Sequence, residues 1–376
     1  MAVGPVRVID PDSADSASQG AAALVPGPRG LTLAPEAGTS EDLYLSPGWV
    51  DLHAHVYDGF TQLGVQADEV GLSGGVHVVA DAGSAGEATI DGFARYLVPS
   101  ARTRLRAWLN IGSHGLVHLR EVSDLAWIDV DRTLDAIARH RGLVCGVKVR
   151  SSGLIVGTMG LQPLELARLV ASEAGLPLMV HIGEAPPLID DVLDRLREGD
   201  VVTHCFHGKV GNPWQPDGSP TPSLRRALDR GVRLDVGHGR ASFSFQVAER
   251  AIAAGWLPDS ISTDLHVRNI AGPVHSLATT MAKLLSCGMS LHQVIAAVTA
   301  HPRRVLGCQE PWLDEGGLIR HGTLFQVTEG PPSRHDYTDA DGVVRQFDRC
   351  VIPRAAIVNG QVLPCTPTDT VEMHAF

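Results

Sequence analysis

The chain has no CxxC pair among its six cysteines, Cys145, Cys205, Cys287, Cys308, Cys350 and Cys365. Thiols this scattered in 376 residues argue against a disulfide framework and for a reduced, cytoplasmic setting. Basic charge is in deficit, with 31 Lys and Arg against 42 Asp and Glu, a formal net charge of −11. A nucleic-acid-binding surface is usually basic, so no nucleic-acid partner is expected. No stretch approaches the roughly 18 uninterrupted apolar residues of a membrane span. No basic segment followed by an apolar run stands near Met1, so neither a secretory signal nor a membrane contact is expected. No GxGxxG turn follows the first apolar run, which counts against an open dinucleotide-binding sheet. What remains is an ordinary globular balance of 44% hydrophobic and 19% charged residues, enough for a sizeable core.

The two ends of the chain share one character. Both carry short apolar pieces between turns, such as Val6-Arg7-Val8-Ile9 and Gly322-Thr323-Leu324-Phe325-Gln326-Val327. Ala355 to Leu363 reads as a strand, an Asn359-Gly360 turn and a returning strand. Residues 1–46 and 320–376 are therefore expected to pack together as a small β-sandwich, with an irregular loop around Asp12 to Gly20. Residues 47–319 alternate instead. Eight β-branched or apolar runs (49–56, 76–80, 105–111, 143–149, 176–182, 201–206, 232–236 and 260–265) are separated by segments of helical spacing, among them Asp131–His140, Pro163–Ala174, Pro186–Arg197 and Phe243–Ala254. The predicted fold is α/β, a (β/α)₈ barrel of about the usual 250 residues.

Chemistry-bearing residues fall at the ends of those runs. His53 and His55 close the first run two residues apart, so both point to one side of a strand. Lys148 ends the fourth, His181 the fifth, His204 the sixth and Asp264 the eighth. Barrel enzymes assemble their sites at the C-terminal strand ends. One histidine of the chain's 17 is more often structural than a ligand, but six such residues at five strand ends point to a metal site. Lys148, between valines, is expected to be buried, where a bare ammonium needs a special partner or a chemical change.

Pro47-Gly48-Trp49-Val50-Asp51-Leu52-His53-Ala54-His55 and Thr299-Ala300-His301-Pro302-Arg303-Arg304-Val305-Leu306-Gly307 resemble the entry motif and the post-barrel segment of the amidohydrolase superfamily. The resemblance is to its binuclear group and, within that, to a deacetylase-like subgroup related to dihydroorotases. It implies a lysine carboxylated by CO₂ at Lys148, bridging two divalent metal ions, with zinc the expected element. It also implies His53, His55 and Asp264 on one ion, and His181 with His204 on the other. A metal-activated hydroxide would attack the acyl carbon, with Asp264 as general base and then acid.

The substrate signal is thinner. Dihydroorotase-like relatives often carry Arg where this chain has Tyr57, which points away from that activity. The resemblance suggests a small carboxylate-bearing substrate, an acyl amino acid or an acylated hydroxy acid, cleaved at an amide or ester. Arg150 lies two residues past Lys148 and could clamp the carboxylate, although pairing with a neighbouring acid is equally expected. His266 bears the same relation to Asp264; His114 and His238 follow the third and seventh runs in glycine-flanked loops, and Asn110 is a weaker candidate. Cys205, directly after His204, should face the core. The alternatives are a cyclic-amide hydrolase, a mononuclear deaminase, against which Lys148 counts, and a catalytically silent scaffold. A homo-oligomer is compatible with all of these readings.

Overall fold

The computed structural model describes residues 3–12, 20–35, 42–308, 310–329, 335–347 and 349–366. Most of the loop expected at Asp12–Gly20 lies outside them. The terminal segments form one mixed seven-stranded sheet, with three C-terminal strands side by side against four N-terminal ones. The N-terminal half contributes β1 (Val3–Val8), β2 (Ala21–Gly27), β3 (Gly30–Pro35) and β4 (Leu43–Pro47). The C-terminal half contributes β12 (His321–Glu329), β15 (Arg349–Val358) and β16 (Gln361–Pro364). This sheet rolls around its own core of Val6, Leu24, Leu45, Ile319 and Ile357. Its two edges meet where Leu31 N–H donates to Gly360 O at 2.8 Å. The expected Asn359-Gly360 turn is present with both residues at positive φ, 48° and 76°, as a two-residue hairpin turn needs. A separate hairpin, β13 (His335–Thr338) and β14 (Val344–Phe347), interrupts the sequence between β12 and β15.

The middle of the chain forms seven parallel strands in chain order: β5 (Trp49–Ala54), β6 (Val76–Gly86), β7 (Arg104–Asn110), β8 (Val144–Ser151), β9 (Leu178–Ile182), β10 (Val201–Thr203) and β11 (Arg233–Asp235). The eighth run, Ser260–Leu265, is not a regular strand. It closes the barrel through two single parallel bridges, Asp235–Ser260 on one side and Ala54–Leu265 on the other. Side-chain bonds replace the missing ladder: Ser260 Oγ and Ser262 Oγ donate to Asp235, and Thr263 Oγ1 donates to Asp51.

The helices behind the barrel obey local signals. Asp129 caps the helix Val130–Arg139 by accepting from Arg132 N–H, and Gly175, left-handed at φ 65°, ends Gln162–Ala174. The helix expected from Pro186 to Arg197 shrinks to Ile189–Leu193. Two prolines bias the residues before them away from helical backbone and donate no N–H. Inside the barrel, Trp108 fills the lower floor beside Leu52, Ala80 and Met179. Its Nε1–H donates to Leu52 O at 3.1 Å. The polar layer above that floor is the site. Among the described residues no single helix is long and apolar enough to cross a membrane.

Candidate active site

All six expected side chains converge at the C-terminal mouth of the barrel. His55 Nε2 lies 2.9 Å and His53 Nε2 3.3 Å from Asp264 Oδ1. The ligand atoms of these three residues fall within 4.8 Å of one another, a spacing one cation can span. Beside them His204 Nε2 lies 2.9 Å from His181 Nδ1, and the His53 and His204 rings sit 5.2 Å apart. Lys148, buried at 1% exposure, brings Nζ to 3.4 Å from His53 Nε2 and 3.2 Å from Met179 Sδ. Room for its stem comes from Gly83, where a Cβ would stand 2.8 Å from Lys148 Cγ.

The ring protons are placed by what lies behind them. Thr203 Oγ1 donates to Asp235, so its lone pair accepts from His53 Nδ1–H at 2.8 Å and leaves Nε2 facing the site. The carbonyl of Gly237 can only accept, so His204 also carries its proton on Nδ1, at 2.6 Å, and turns Nε2 inward. His55 Nδ1 pairs with Ser84 Oγ at 3.0 Å. Metal-binding imidazoles are oriented in this way. Thr203, Ser84, Asp235 and Gly237 escaped sequence reading, although Thr203 stands next to His204 and Asp235 ends the seventh strand.

His204 and Asp264 both adopt positive φ, 71° and 50°. Strain of this kind in non-glycine residues collects at functional sites. Burial raises the proton affinity of the Asp264 carboxyl, but the His53 and His55 rings outweigh it and hold the group well below the usual range. Burial and Lys148 oppose a proton on His53, yet Asp264 and Asp235 raise its affinity on balance. Burial lowers both His181 and His204 well below the ordinary histidine value. Burial also brings the Lys148 amine down to about 7, against the pull of Asp264 and Asp235. The donor set, bare ring nitrogens around a carboxylate, fits divalent cations.

The candidate substrate contacts divide. Arg150 donates to both oxygens of buried Glu121, Nε at 2.7 Å and Nη2 at 2.5 Å, and to Leu119 O at 2.8 Å. Among the described residues its Nη1 is left uncommitted. His266 lies against His55 with ring centres 6.3 Å apart. Its Nδ1 accepts Arg268 N–H at 3.1 Å, so the ring proton sits on Nε2. Burial keeps this imidazole neutral, at about 4. His114 is exposed, edge-on to Trp127. His238 is fully buried and uses both nitrogens inside the fold, Nδ1 on Gly239 O and Nε2 on Lys283 Nζ. Asn110 pairs with Gly83 O and Gly112 N–H. Cys205 lies in the core, its thiol pushed well above the ordinary value by burial. Tyr57 is buried, with its hydroxyl on Thr89 O.

The mouth of the barrel thus gathers a His-His-Asp donor set that could hold a divalent cation. No family model matches the chain. A deacetylase of Agrobacterium fabrum is 43% identical over 324 residues, 85% of this chain and 79% of the relative. A deacetylase of Brucella anthropi is 42% identical over 323 residues, covering 85% and 80%. Among solved structures, a dihydroorotase matches with a TM-score of 0.86 at 38% identity, over 97% of this chain and 99% of that one. An adenine deaminase matches with a TM-score of 0.85 at 31% identity, over 97% and 100%. The chain belongs to the amidohydrolase superfamily.

Proposed function

We propose that this chain is a two-metal amidohydrolase that removes an acyl group from the nitrogen or oxygen of a small carboxylate-bearing substrate. The observation that carries the reading is the convergence of four imidazoles, Lys148 and Asp264 at one barrel mouth, in a chain whose sequence relatives are named deacetylases. His53, His55 and Asp264 hold one ion, zinc being the element best suited to the imidazole-rich set, and His181 with His204 hold the other. Lys148 would bear a CO₂-derived carboxylate, adding an anionic oxygen donor to both sets. This is supported by its burial beside an imidazole and a thioether, with no carboxylate in bonding range among the described residues. When bound, the ions supply Lewis acidity and a water that deprotonates near neutral pH.

The remaining chemistry belongs to the chain. Asp264 takes the proton of the attacking water and returns it to the leaving nitrogen or oxygen; His53 and His55 keep its carboxylate ready to accept. Its backbone is pinned by Asp264 N–H on His53 O at 2.6 Å and by Asn269 Nδ2 on Asp264 O at 2.8 Å. His266 Nε2–H is a neutral donor suited to the substrate carbonyl. Arg150 Nη1, its guanidinium held flat by Glu121, is suited to the substrate carboxylate.

The test is a hydrolysis screen of N-acetyl-D-amino acids, acetylated 2-hydroxy acids, hydantoins and dihydroorotate, run with elemental analysis of the same protein. The reading expects about two ions per chain and turnover of the acylated acids. Turnover of the rings alone would overturn the deacylase assignment, and a metal-free protein inert after zinc supplementation would overturn the enzyme.

A further inference from the structure

A second buried lysine lies outside the proposed chemistry. Lys283, on the helix Leu277–Ser286, is fully buried, and its ammonium has three protons with three acceptors. Nζ donates to Pro273 O at 2.7 Å, to Thr338 O at 2.7 Å and to His238 Nε2 at 2.8 Å. That bond places the ring proton of His238 on Nδ1, which donates to Gly239 O at 2.9 Å. The ring stacks on Phe243, with centroids 4.6 Å apart and planes at 22°. A buried cation is costly unless fully bonded, so an arrangement this complete calls for a role.

The role lies in what His238 belongs to. Gly237-His238-Gly239 is the segment that runs between His204 and Asp264. Gly237 O takes the Nδ1 proton of His204, while His238 N–H and Gly239 N–H donate to Ser262 O and Thr263 O, just before Asp264. The segment is flush against both residues. A Cβ on Gly237 would stand 2.2 Å from Thr203 Oγ1, and one on Gly239 2.5 Å from Asp264 Oδ2. The one side chain of the segment, that of His238, is tied to Lys283 instead. Its tie leads to the C-terminal part of the chain, since Thr338 ends β13. The tip of that hairpin is docked by Asp339 Oδ2 on Phe245 N–H at 3.0 Å and by Ala340 N–H on Phe243 O at 2.9 Å.

We propose that Lys283, gripping His238 and the β13–β14 hairpin at once, is a positioning residue that sets the Gly237–Gly239 segment and through it the His204 ring and the Asp264 carboxylate. The C-terminal hairpin is thereby a working part of the barrel's site. The inference rests on the reading of His204 as a metal ligand and Asp264 as the acid and base.

The test compares full-length, zinc-loaded wild type, Lys283→Met, and the double variant Lys283→Met/His238→Phe. The double variant removes the His238 nitrogen together with the ammonium, so that of the three acceptors only the Pro273 and Thr338 carbonyls lose their donor. Zinc release to a chromophoric chelator, kcat and KM are measured on each. In every variant that melts cooperatively, the more labile ion should leave roughly 10–100-fold faster, the range for loss of a supporting partner. kcat should fall with KM within about threefold, the signature of a lost transition-state arrangement. If Lys283→Met does not fold, the double variant decides. Wild-type release and wild-type kcat in a folded variant overturn the clamp. His204→Ala separates the two levels: if it releases zinc like wild type, the ligand reading fails, whatever Lys283 does.

Discussion

The two halves of the proposed metal site are built by different means. Around His53, His55 and Asp264 every ligand is backed by the barrel wall: His53 by Thr203 and Asp235, His55 by Ser84, and Asp264 by its own N–H on His53 O. Ser84 is anchored in turn by Asp81, which accepts its N–H at 2.7 Å. Asp235 gathers hydroxyls from Thr203, Ser260 and Ser262, so the group that orients a ligand also closes the barrel. The His181 and His204 half leans on a loop. His204 is held by one carbonyl, that of Gly237, and partly exposed His181 stands next to the rim, where Lys209 pairs with Glu184 at 2.9 Å. The first half is pre-organised mainly by the fold itself, the Gly237–Gly239 segment touching only its Asp264, whereas the second depends on that segment for His204. On the proposed two-metal reading the ions should accordingly differ in lability, with the one on His181 and His204 leaving first.

Breaking what the halves share should have the largest effect. Lys148→Ala is expected to lose at least one ion per chain by elemental analysis and more than about 100-fold in turnover, beyond the range of a mere supporting contact. Small carboxylic acids should restore part of that turnover. Full activity with two ions would remove Lys148 from the bridge. Next comes Asp264→Asn, which keeps much of the metal but loses about 10²–10⁴-fold in kcat, the usual contribution of a general acid or base. Unchanged kcat would take the proton-transfer role from Asp264.

The wall-backed half can be loosened alone. Thr203→Val strands His53 Nδ1–H and one Asp235 acceptor, and should cost about 1–3 kcal/mol of stability in denaturant melts. Tighter or equal metal retention in that variant would show the wall is not what orients His53. The smallest effect belongs to the rim of the other half. Burial raises Glu184, but Lys209 and Ser152 together outweigh it and hold the group at about 2, below its ordinary 4.5. A depressed carboxyl contributes stability that is present above about 4.5 and lost as pH falls towards 2. In Glu184→Gln the neutral-pH Tm should fall modestly and that part of the acid-side slope of Tm against pH should disappear, the two proteins converging towards pH 2; an unchanged acid-side slope would take the contribution from Glu184.

How far the sequence reached follows the same division. His53, His55, Lys148, His181, His204 and Asp264 were legible because each ends a short apolar run, and strand ends of a barrel share one mouth. The rolled terminal sheet was legible through Asn359-Gly360 and the strand patterns on either side. What was hidden depends on contacts between distant residues. Arg150 meets Glu121 and His238 meets Lys283 across 29 and 45 residues, and no local pattern announces either pair. The irregular eighth segment was read as the last of eight β-branched or apolar runs, yet its serines and Thr263 bond to Asp235 and Asp51 in place of a ladder.

The central claim is best met by anomalous diffraction at the zinc edge from crystals of the full-length protein. The account predicts two peaks, one among His53, His55 and Asp264 and one between His181 and His204, with carboxylate density extending from Lys148 Nζ towards both. A bare Lys148 amine and no peak at either position, in protein supplied with zinc and CO₂, would contradict it.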